Sequence, residues 1–362
     1  MSERMRIGIL TGGGDAPGLN GVIRAVVKAA INGYQAEVIG FLDGFHGLIT
    51  NNYRTLDLAA VSGIIHRGGT ILGTSNRDNP FRFPVQEDGE IVYKDVSDQA
   101  LQNIKQLGIK VLVVIGGDGS LSIAQDLSKK GLLVIGVPKT IDNDLSATDV
   151  TFGFDTAVST ATEALDKLHT TAESHHRVMV LELMGRYGGW IALHAGLAGG
   201  ADVILIPEIP FDLAVIKAKI AERRANGKLF SIIVVAEGAT PHGGKMVVAK
   251  MVEDSTDPIR LGGIGQQVAN ALAEETGLET RVTVLGHLQR GGSPTAHDRI
   301  LSSRFGVKAA ELAVNGPWNK MVALHGQDIV AVDLVEGVKS LKKVDPQGEL
   351  VKAAKALGIS FG

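Results

Sequence analysis

Asp142 and Asp144 are the pair of residues in this sequence best suited to share acid–base work. They alternate in the segment PKTIDND, residues 138–144. Alternate positions of an extended loop point the same way, so both carboxylates can face one cleft. Two like charges in one cleft are costly unless a metal ion, a proton or an arginine lies nearby. One carboxylate would take a proton from an attacking hydroxyl while the other orders metal or water; the alternative is a solvated acidic turn.

Two glycine-rich turns have the composition of phosphate-binding loops. They are GGGDAPG at 12–18 and GGDGS at 116–120, and each follows an apolar run and precedes a helical pattern. Small residues let backbone N–H groups approach a phosphate, and a helix N-terminus favours negative charge. Asp118 in the second turn is suited to hold Mg²⁺ that also bridges phosphate oxygens. The alternatives are an ordinary glycine turn and a helix-capping aspartate.

Cationic side chains recur at the ends of predicted strands. They are Arg177, Arg186, Arg281, His287 and Arg290. Arginine offers paired donors that match phosphate geometry, so several arginines in one crevice would bind an anionic substrate and stabilise transition-state charge. Any one of them alone is more often part of a surface ion pair. Glu237, after another predicted strand, could accept hydrogen bonds from sugar hydroxyls or form a structural salt bridge.

The elements that position these residues follow an α/β pattern. Apolar runs without polar alternation are typical of strands buried on both faces of a parallel sheet, where ligands bind at the carboxyl ends of the strands. Strands are predicted at 6–11, 111–115, 132–137, 178–183, 203–206, 231–236 and 281–285, helices at 18–31, 121–129, 156–171, 212–225 and 262–275, and loops at 78–89 and 237–245.

Length and composition limit the possible functions. The chain has 362 residues, a formal charge of -3 and no cysteine. It has no Lys/Arg-rich tract for a nucleic-acid backbone, no predicted signal segment and no apolar run long enough for a membrane span, so we expect small-molecule partners and a cytoplasmic location. The P-loop pattern and the dinucleotide-binding fingerprint after the first strand are both missing.

Two groups of strands predict two domains. We expect the first to comprise 1–150 with part of 290–345, and the second 151–289 with the C-terminal helix. Each would be a Rossmann-like three-layer domain with a mostly parallel sheet, and the active site would lie in the cleft between them.

Five segments together resemble the signature set of the 6-phosphofructokinases, and in particular the mixed-substrate subgroup of the phosphofructokinase A family. They are GGGDAPGLNGVIR (12–24), GGDGS (116–120), PKTIDND (138–144), MGRYGGW (184–190) and LGHLQRGGSP (285–294), in the family's order. The resemblance implies magnesium-dependent transfer of a phosphoryl group from ATP to the 1-hydroxyl of fructose 6-phosphate in glycolysis. It also implies a homo-oligomer, a dimer or a tetramer, whose subunits share active sites.

The resemblance also assigns roles to individual residues. Asp142 would be the proton acceptor, with Thr140 and Arg186 also catalytic and Asp118 the magnesium ligand. The ATP-binding residues would be Gly13, Arg77, Gly117, Asp118, Gly119 and Ser120, although the family's arginine falls at Asn76 by strict count and Arg77 is a substitute for it. Fructose 6-phosphate would contact Thr140, Ile141, Asp142, Met184, Gly185, Arg186, Glu237, His287, Leu288, Gln289 and Arg290, with Arg177 and Arg281 reaching in from a neighbouring subunit.

Two positions disagree about the phosphoryl donor. Gly119 is the small residue typical of ATP users, whereas Lys139 stands where pyrophosphate users keep lysine. We give Gly119 more weight and predict ATP as the donor. A larger side chain at this position would exclude the nucleotide outright, whereas an added cation at position 139 only assists the binding of pyrophosphate. The alternatives are a pyrophosphate-dependent enzyme and, from another class, a non-catalytic sugar-phosphate or nucleotide-binding regulatory subunit.

Overall fold

The structure is a computed structural model that describes residues 4–251 and 259–362. The strands in these residues are β1 (Arg6–Thr11), β2 (Glu37–Phe41), β3 (Tyr53–Leu56), β4 (Phe83–Glu87), β5 (Glu90–Lys94), β6 (Ile109–Gly116), β7 (Leu133–Pro138), β8 (Val178–Leu183), β9 (Val203–Leu205), β10 (Ser231–Ala236), β11 (Val248–Met251), β12 (Ile259–Leu261), β13 (Thr280–Val284), β14 (Lys320–His325) and β15 (Asp328–Asp333). The helices are α1 (Leu19–Tyr34), α2 (Phe45–Thr50), α3 (Ser97–Gln106), α4 (Asp118–Lys129), α5 (Phe154–His175), α6 (Trp190–Ala198), α7 (Leu213–Ala225), α8 (Ile264–Thr276), α9 (Ala296–Asn315), α10 (Leu334–Val338) and α11 (Glu349–Ala356), with a 3-10 helix at Gly286–Arg290.

The larger sheet has the strand order β15-β14-β7-β6-β1-β2-β3. Its five central strands are parallel, and the edge strands β3 and β15 are antiparallel to their neighbours. The chain places β2 on one side of β1 and β6 on the other. This change of direction opens a crevice between the carboxyl ends of β1 and β6, the usual ligand position in such sheets.

The smaller sheet has the strand order β13-β8-β10-β9, and all four strands are parallel. Helix α7, which leads into β10, begins as expected after Asp212, whose carboxylate accepts a hydrogen bond from the backbone N–H of Ala214 at 2.8 Å. A carboxylate at this position satisfies one of the helix's unpaired N–H groups.

Both sheets are covered by helices on both faces. Alternate residues of a strand point to opposite faces, so Ile7 and Ile9 pack in the core with α1 and α9, whereas Leu10 packs in the core with α3 and α4. In the smaller sheet, Leu181 packs with α5 and α6, whereas Val180 packs with α7 and α8. Each sheet therefore forms a three-layer α/β unit, as predicted.

The predicted strands and helices are all present, with ends that differ by a few residues. Residues 237–245 contain no helix or strand, as expected. The loop prediction for 78–89 was wrong, because residues 83–87 form β4 and pair antiparallel with β5.

Candidate active site

The larger of two cavities lies where the carboxyl ends of both sheets face each other. Its volume is about 760 Å³. The lining residues that the sequence singled out are Gly13, Arg77, Gly117, Asp118, Gly119, Ser120, Lys139, Thr140, Asp142, Met184, Arg186, Glu237, His287 and Arg290. Segments far apart in the chain thus contribute to one crevice.

Asp142 lies in the loop that directly follows β7. Its carboxylate is 2% exposed, and Oδ2 accepts a hydrogen bond from the Thr140 hydroxyl at 3.3 Å. The backbone N–H of Asp142 in turn donates to the Thr140 hydroxyl oxygen at 3.0 Å, which fixes the turn. Oδ1 is buried and has no hydrogen-bond partner within the described residues. A buried acceptor without a hydrogen-bond partner costs free energy, so Oδ1 is suited to accept a hydrogen bond from a bound ligand.

Asp118 and Asp144 are bridged by one arginine. A terminal nitrogen of Arg186 lies 3.2 Å from Asp118 Oδ1 and 4.0 Å from Asp144 Oδ2. The pKa of Asp144 is raised to about 7, mainly by burial and also by the charges of Asp142 and Asp118, while Arg186 opposes this shift. Asp142 lines the cavity and Asp144 does not, and Arg186 beside Asp144 supplies an opposite charge of the kind that such a pair requires.

Both glycine-rich turns approach the cavity through their backbones. Gly13 has a φ of 76°, and its N–H donates to the carbonyl of Ser75 at 3.0 Å. A Cβ on Gly116 would lie 2.3 Å from the Cβ of Ser120, so only glycine lets β6 pass so close to the first turn of α4. Because α4 begins at Asp118, its N-terminus and its unpaired N–H groups are directed to this cavity, where an anion is stabilised.

Lys139 is 4% exposed, and its ammonium group donates to the carbonyl of Gly14. The pKa of Lys139 is lowered to about 8, mainly by burial and also by the nearby charge of Arg290, while Asp142, Asp15 and Asp118 oppose this effect. Arg290 itself donates to the carbonyl of Asp15 at 3.1 Å. Both cations thus contact the first glycine turn, Lys139 from the larger sheet that carries this turn and Arg290 from the segment after β13 of the smaller sheet.

Glu237 organises the loop after β8. Its Oε1 accepts hydrogen bonds from the backbone N–H groups of Gly185 at 3.2 Å and Arg186 at 2.9 Å. Burial, opposed in part by these backbone hydrogen bonds, raises the pKa of Glu237 to about 7. Arg186 has a φ of 51°, a conformation that non-glycine residues rarely adopt, and the carboxylate of Glu237 stabilises it there.

A smaller cavity of about 520 Å³ adjoins the first. Arg77, Asp118 and Gly119 line both cavities. The far wall of the smaller cavity comes from residues 337–341, and another side carries Arg82, whose guanidinium lies 4.3 Å from the ring centroid of Tyr93. An elongated ligand could therefore extend past Gly119 from one cavity into the other.

Comparison with known proteins identifies the family. The model of the family described as phosphofructokinase matches residues 6–313.

The chain belongs to the phosphofructokinase family.

Several relatives match over nearly the whole chain. A Clostridium perfringens protein named ATP-dependent 6-phosphofructokinase 2 is 59% identical over 366 residues, which cover 100% of this chain and 99% of the relative. A protein from Amycolatopsis methanolica, named pyrophosphate–fructose 6-phosphate 1-phosphotransferase, is 52% identical over 95% of this chain and 97% of its own length. The structure of Pichia pastoris phosphofructokinase in the T-state superposes with a TM-score of 0.80 at 33% identity and covers 99% of this chain but 37% of the Pichia chain.

Four residues predicted from the phosphofructokinase motifs do not line the larger cavity. Ile141 is fully buried in the core of the smaller sheet, and the Gln289 side chain is buried and donates to the carbonyl of Gly286 at 3.1 Å. Leu288 is 68% exposed, and the backbone N–H of Gly185 donates a hydrogen bond to Glu237.

Arg177 and Arg281 lie at the opposite end of the smaller sheet from the cavity. Both form ion pairs with Glu279, at 2.8 Å and 2.5 Å. Arg177 directly precedes β8 and Arg281 lies near the start of β13, whereas the cavity is at the carboxyl ends of these strands, roughly 20 Å from Arg177 and roughly 10 Å from Arg281 at the usual rise per residue. Neither arginine reaches the cavity of its own chain.

Sequence reasoning missed several residues that line the phosphofructokinase cavity. Lys250 and Arg260 lie on the antiparallel pair β11 and β12, and Tyr187 lies beside Arg186. The strands β11 and β12 are short and exposed or half-buried, so no apolar run marks them. The only available signal was their alternation of apolar and cationic residues.

The Asp118 carboxylate is suited to bind a magnesium ion that is held mainly by substrate phosphates. Within residues 4–251 and 259–362, no three His, Asp or Glu side chains form a metal-binding cluster. Mg²⁺ is commonly bound by one or two carboxylates together with phosphates and waters. Asp118, with a side chain 37% exposed at the junction of the two cavities, fits that pattern.

Among the described helices, none combines the length and the apolar character needed to cross a membrane.

Proposed function

We propose that this chain transfers the γ-phosphoryl group of MgATP to the 1-hydroxyl of fructose 6-phosphate, which gives fructose 1,6-bisphosphate and ADP in glycolysis. The observation that carries the proposal is the single cleft in which Asp142, Asp118 and Arg186 meet two phosphate-binding turns. The names of the relatives from Clostridium and Chloroflexus, both ATP-dependent 6-phosphofructokinases, support the same reaction.

Asp142 would accept the proton of the attacking hydroxyl. Its Oδ1 is buried and lacks a partner, and its Oδ2 is held by the Thr140 hydroxyl, so the carboxylate is oriented before substrate binds. Arg186 lies between Asp118 and Asp144 and would stabilise the charge on the transferred group. A magnesium ion held by Asp118 would supply charge neutralisation of the phosphates when bound. Glu237, Met184 and His287 would hold the sugar on the other side of the cleft.

The second cavity supports ATP as the donor. Phosphates bound at the glycine turns would leave the nucleoside directed past Gly119 into the smaller cavity, which a pyrophosphate donor would not need. Lys139 favours the second candidate, a pyrophosphate-dependent enzyme, because it places a cation beside the first glycine turn, and the Amycolatopsis relative carries that name.

Rates measured side by side with ATP and with pyrophosphate test the proposal, at equal fructose 6-phosphate and magnesium. We expect ATP to be the better donor, and we expect Asp142→Asn to lower kcat by about 10² to 10⁴ without a large change in KM. Asp166→Asn, at an exposed position of α5 that lines neither cavity, is the matched control. A higher rate with pyrophosphate would favour the second candidate, and the absence of turnover with both donors would favour a regulatory subunit.

We also propose that the protein is a cytoplasmic homo-oligomer, a dimer or a tetramer, in which Arg177 and Arg281 complete the site of a neighbouring subunit. Their position away from their own cavity supports this arrangement.

The two sheets support a division into a nucleotide-binding domain, residues 1–150 with part of 290–345, and a sugar-phosphate-binding domain, residues 151–289 with the C-terminal helix.

A further inference from the structure

Residues 341–344, which follow α10, form a C-terminal strap across the loop that carries Asp142 and Asp144. Leu341 makes an antiparallel bridge with Leu145. The backbone N–H of Lys342 donates to the carbonyl of Asp144 at 2.7 Å. The strap therefore contacts the catalytic loop, residues 142–149, through its backbone within two residues of the proposed proton acceptor.

The side chain of Lys342 ties the two ends of the catalytic loop together. Its ammonium group donates to Asn143 Oδ1 at 3.0 Å, to the carbonyl of Thr148 at 3.0 Å and to the carbonyl of Asp149 at 2.8 Å. Asn143 directly follows Asp142, is 4% exposed and has a φ of 53°. Its side-chain oxygen also accepts from the backbone N–H of Thr151. Asparagine adopts this left-handed conformation more readily than most non-glycine residues, and these contacts hold Asn143 in it.

The other side of the strap is anchored to the element that follows Arg186. The indole N–H of Trp190 donates to the carbonyl of Lys342 at 2.9 Å, and the ammonium group lies 5.5 Å from the indole centroid. Glu208 accepts hydrogen bonds from the backbone N–H groups of Gly189 at 3.0 Å and Val344 at 2.9 Å. Because α6 begins at Trp190, the strap connects the loop of Asp142 with the loop of Arg186.

We propose that Lys342 is a positioning residue, which holds the catalytic loop so that the Asp142 carboxylate and Arg186 face the same reacting atoms. This inference rests on the phosphoryl transfer proposed above and adds a residue outside the motifs that suggested it. Lys342 does not line the larger cavity, so it acts through Asn143 and the loop carbonyls and not on the substrate.

The physical cost of losing the ammonium group follows from these contacts. Without it, the carbonyls of Thr148 and Asp149 lose a charged donor, and such hydrogen bonds are the strong ones in proteins. The loop would then relax toward other conformations of Asn143. A displacement of a catalytic group by about 1 Å can lower the rate by about 10²-fold even when substrates still bind.

Steady-state kinetics of Lys342→Met and Lys342→Arg test the proposal, with thermal unfolding measured for each variant. Lys343→Met is the matched control, because Lys343 is exposed in the same strap. We expect Lys342→Met to lower kcat by about 10- to 100-fold while KM for both substrates stays within about threefold. Lys342→Arg, which keeps the charge and the donors, should recover most of the rate, and Lys343→Met should match wild type.

Three results would overturn the positioning role in an active wild-type enzyme. They are a normal kcat for Lys342→Met, a loss of rate that only follows the loss of folded protein, and a failure of Lys342→Arg to recover any rate while it folds normally. Wild-type protein that turns over fructose 6-phosphate with neither ATP nor pyrophosphate would instead overturn the proposed function. The two failures are therefore distinguished by the wild-type assay.

Discussion

Gly119 occupies the junction of the two cavities, where a side chain would affect only one of the two candidate donors. We expect Gly119→Asp to lower kcat/KM for ATP by at least about tenfold, because a carboxylate there adds bulk and negative charge where the nucleotide would pass from one cavity to the other. Gly119→Asn is the matched control for charge, since it has nearly the same size. Equal losses in both variants would assign the effect to bulk, and unchanged ATP kinetics in Gly119→Asp would contradict the path of the nucleotide.

Glu237 links the stability of the protein to pH. Burial raises its pKa from 4.5 to about 7, so the folded protein keeps a proton that the unfolded chain releases between these pH values. Its contribution to stability is therefore present below pH 4.5 and is lost as the pH rises through 7. We expect the melting temperature of Glu237→Gln, relative to wild type, to increase from pH 4.5 to pH 7.5, because glutamine still accepts the two backbone hydrogen bonds without titrating.

Thermal unfolding across this pH range, without sugar phosphate, measures the effect of Glu237→Gln. Glu274→Gln, at an exposed position of α8, is the control and should follow wild type at every pH. Parallel curves for Glu237→Gln and wild type would contradict the raised pKa.

At the residue scale, the sequence predicted which side chains line the cavity better than it predicted what holds them in place. The alternation of Asp142 and Asp144 predicted that two carboxylates share one cleft, and the structure places a charged arginine between Asp144 and Asp118. The hydrogen bonds that hold the loop after Asp142 and the backbone of Arg186 could not be predicted, because they come from Lys342 and Glu237, in segments far along the chain. Periodicity and local motifs carry no information about such long-range partners.

At the scale of elements, glycines set how closely the phosphate-binding turns approach each other. We expect Gly116→Ala to destabilise the fold by about 1–3 kcal/mol, because its Cβ would lie 2.3 Å from Ser120 Cβ and the first turn of α4 would have to move. Asp118 would move with that turn, so KM for ATP should rise or kcat should fall by at least about tenfold.

Urea unfolding and ATP kinetics check the Gly116→Ala prediction. Gly33→Ala is the matched control, because no atom lies within 4 Å of the added Cβ and Gly33 is inside α1. It should stabilise the protein by up to about 1 kcal/mol and leave the kinetics unchanged. A Gly116→Ala enzyme with normal stability and normal ATP kinetics would show that α4 adapts without cost.

The one wrong element prediction had a local signal. Residues 83–87 and 90–94 flank Asp88-Gly89, a pair typical of tight hairpin turns, and both residues have positive φ values of 49° and 87°. Prolines and charged residues in this segment favoured a loop instead. The central strands were predicted correctly because burial on both faces requires continuous Val, Ile and Leu, which is a strong pattern.

At the scale of the whole molecule, the positions of Arg177 and Arg281 bear on how subunits assemble. The two arginines lie roughly 20 Å (Arg177) and roughly 10 Å (Arg281) from the cavity end of their own strands, β8 and β13. A symmetric dimer would bring each pair to the site of its partner, because every contact in such an interface occurs twice.

Subunit complementation tests whether sites are shared. We expect Asp142→Asn and Arg281→Ala to be poorly active alone, since each would impair every site. In a dimer reassociated from an equal mixture, half of the molecules combine both variants, and each has one site with an intact Asp142 and an intact Arg281. The mixture should therefore recover about a quarter of wild-type activity. The matched control is Asp142→Asn mixed with Asp118→Ala, which should recover none because both residues line the cavity of the same chain. Equal activities in the two mixtures would show that each subunit works with its own residues alone.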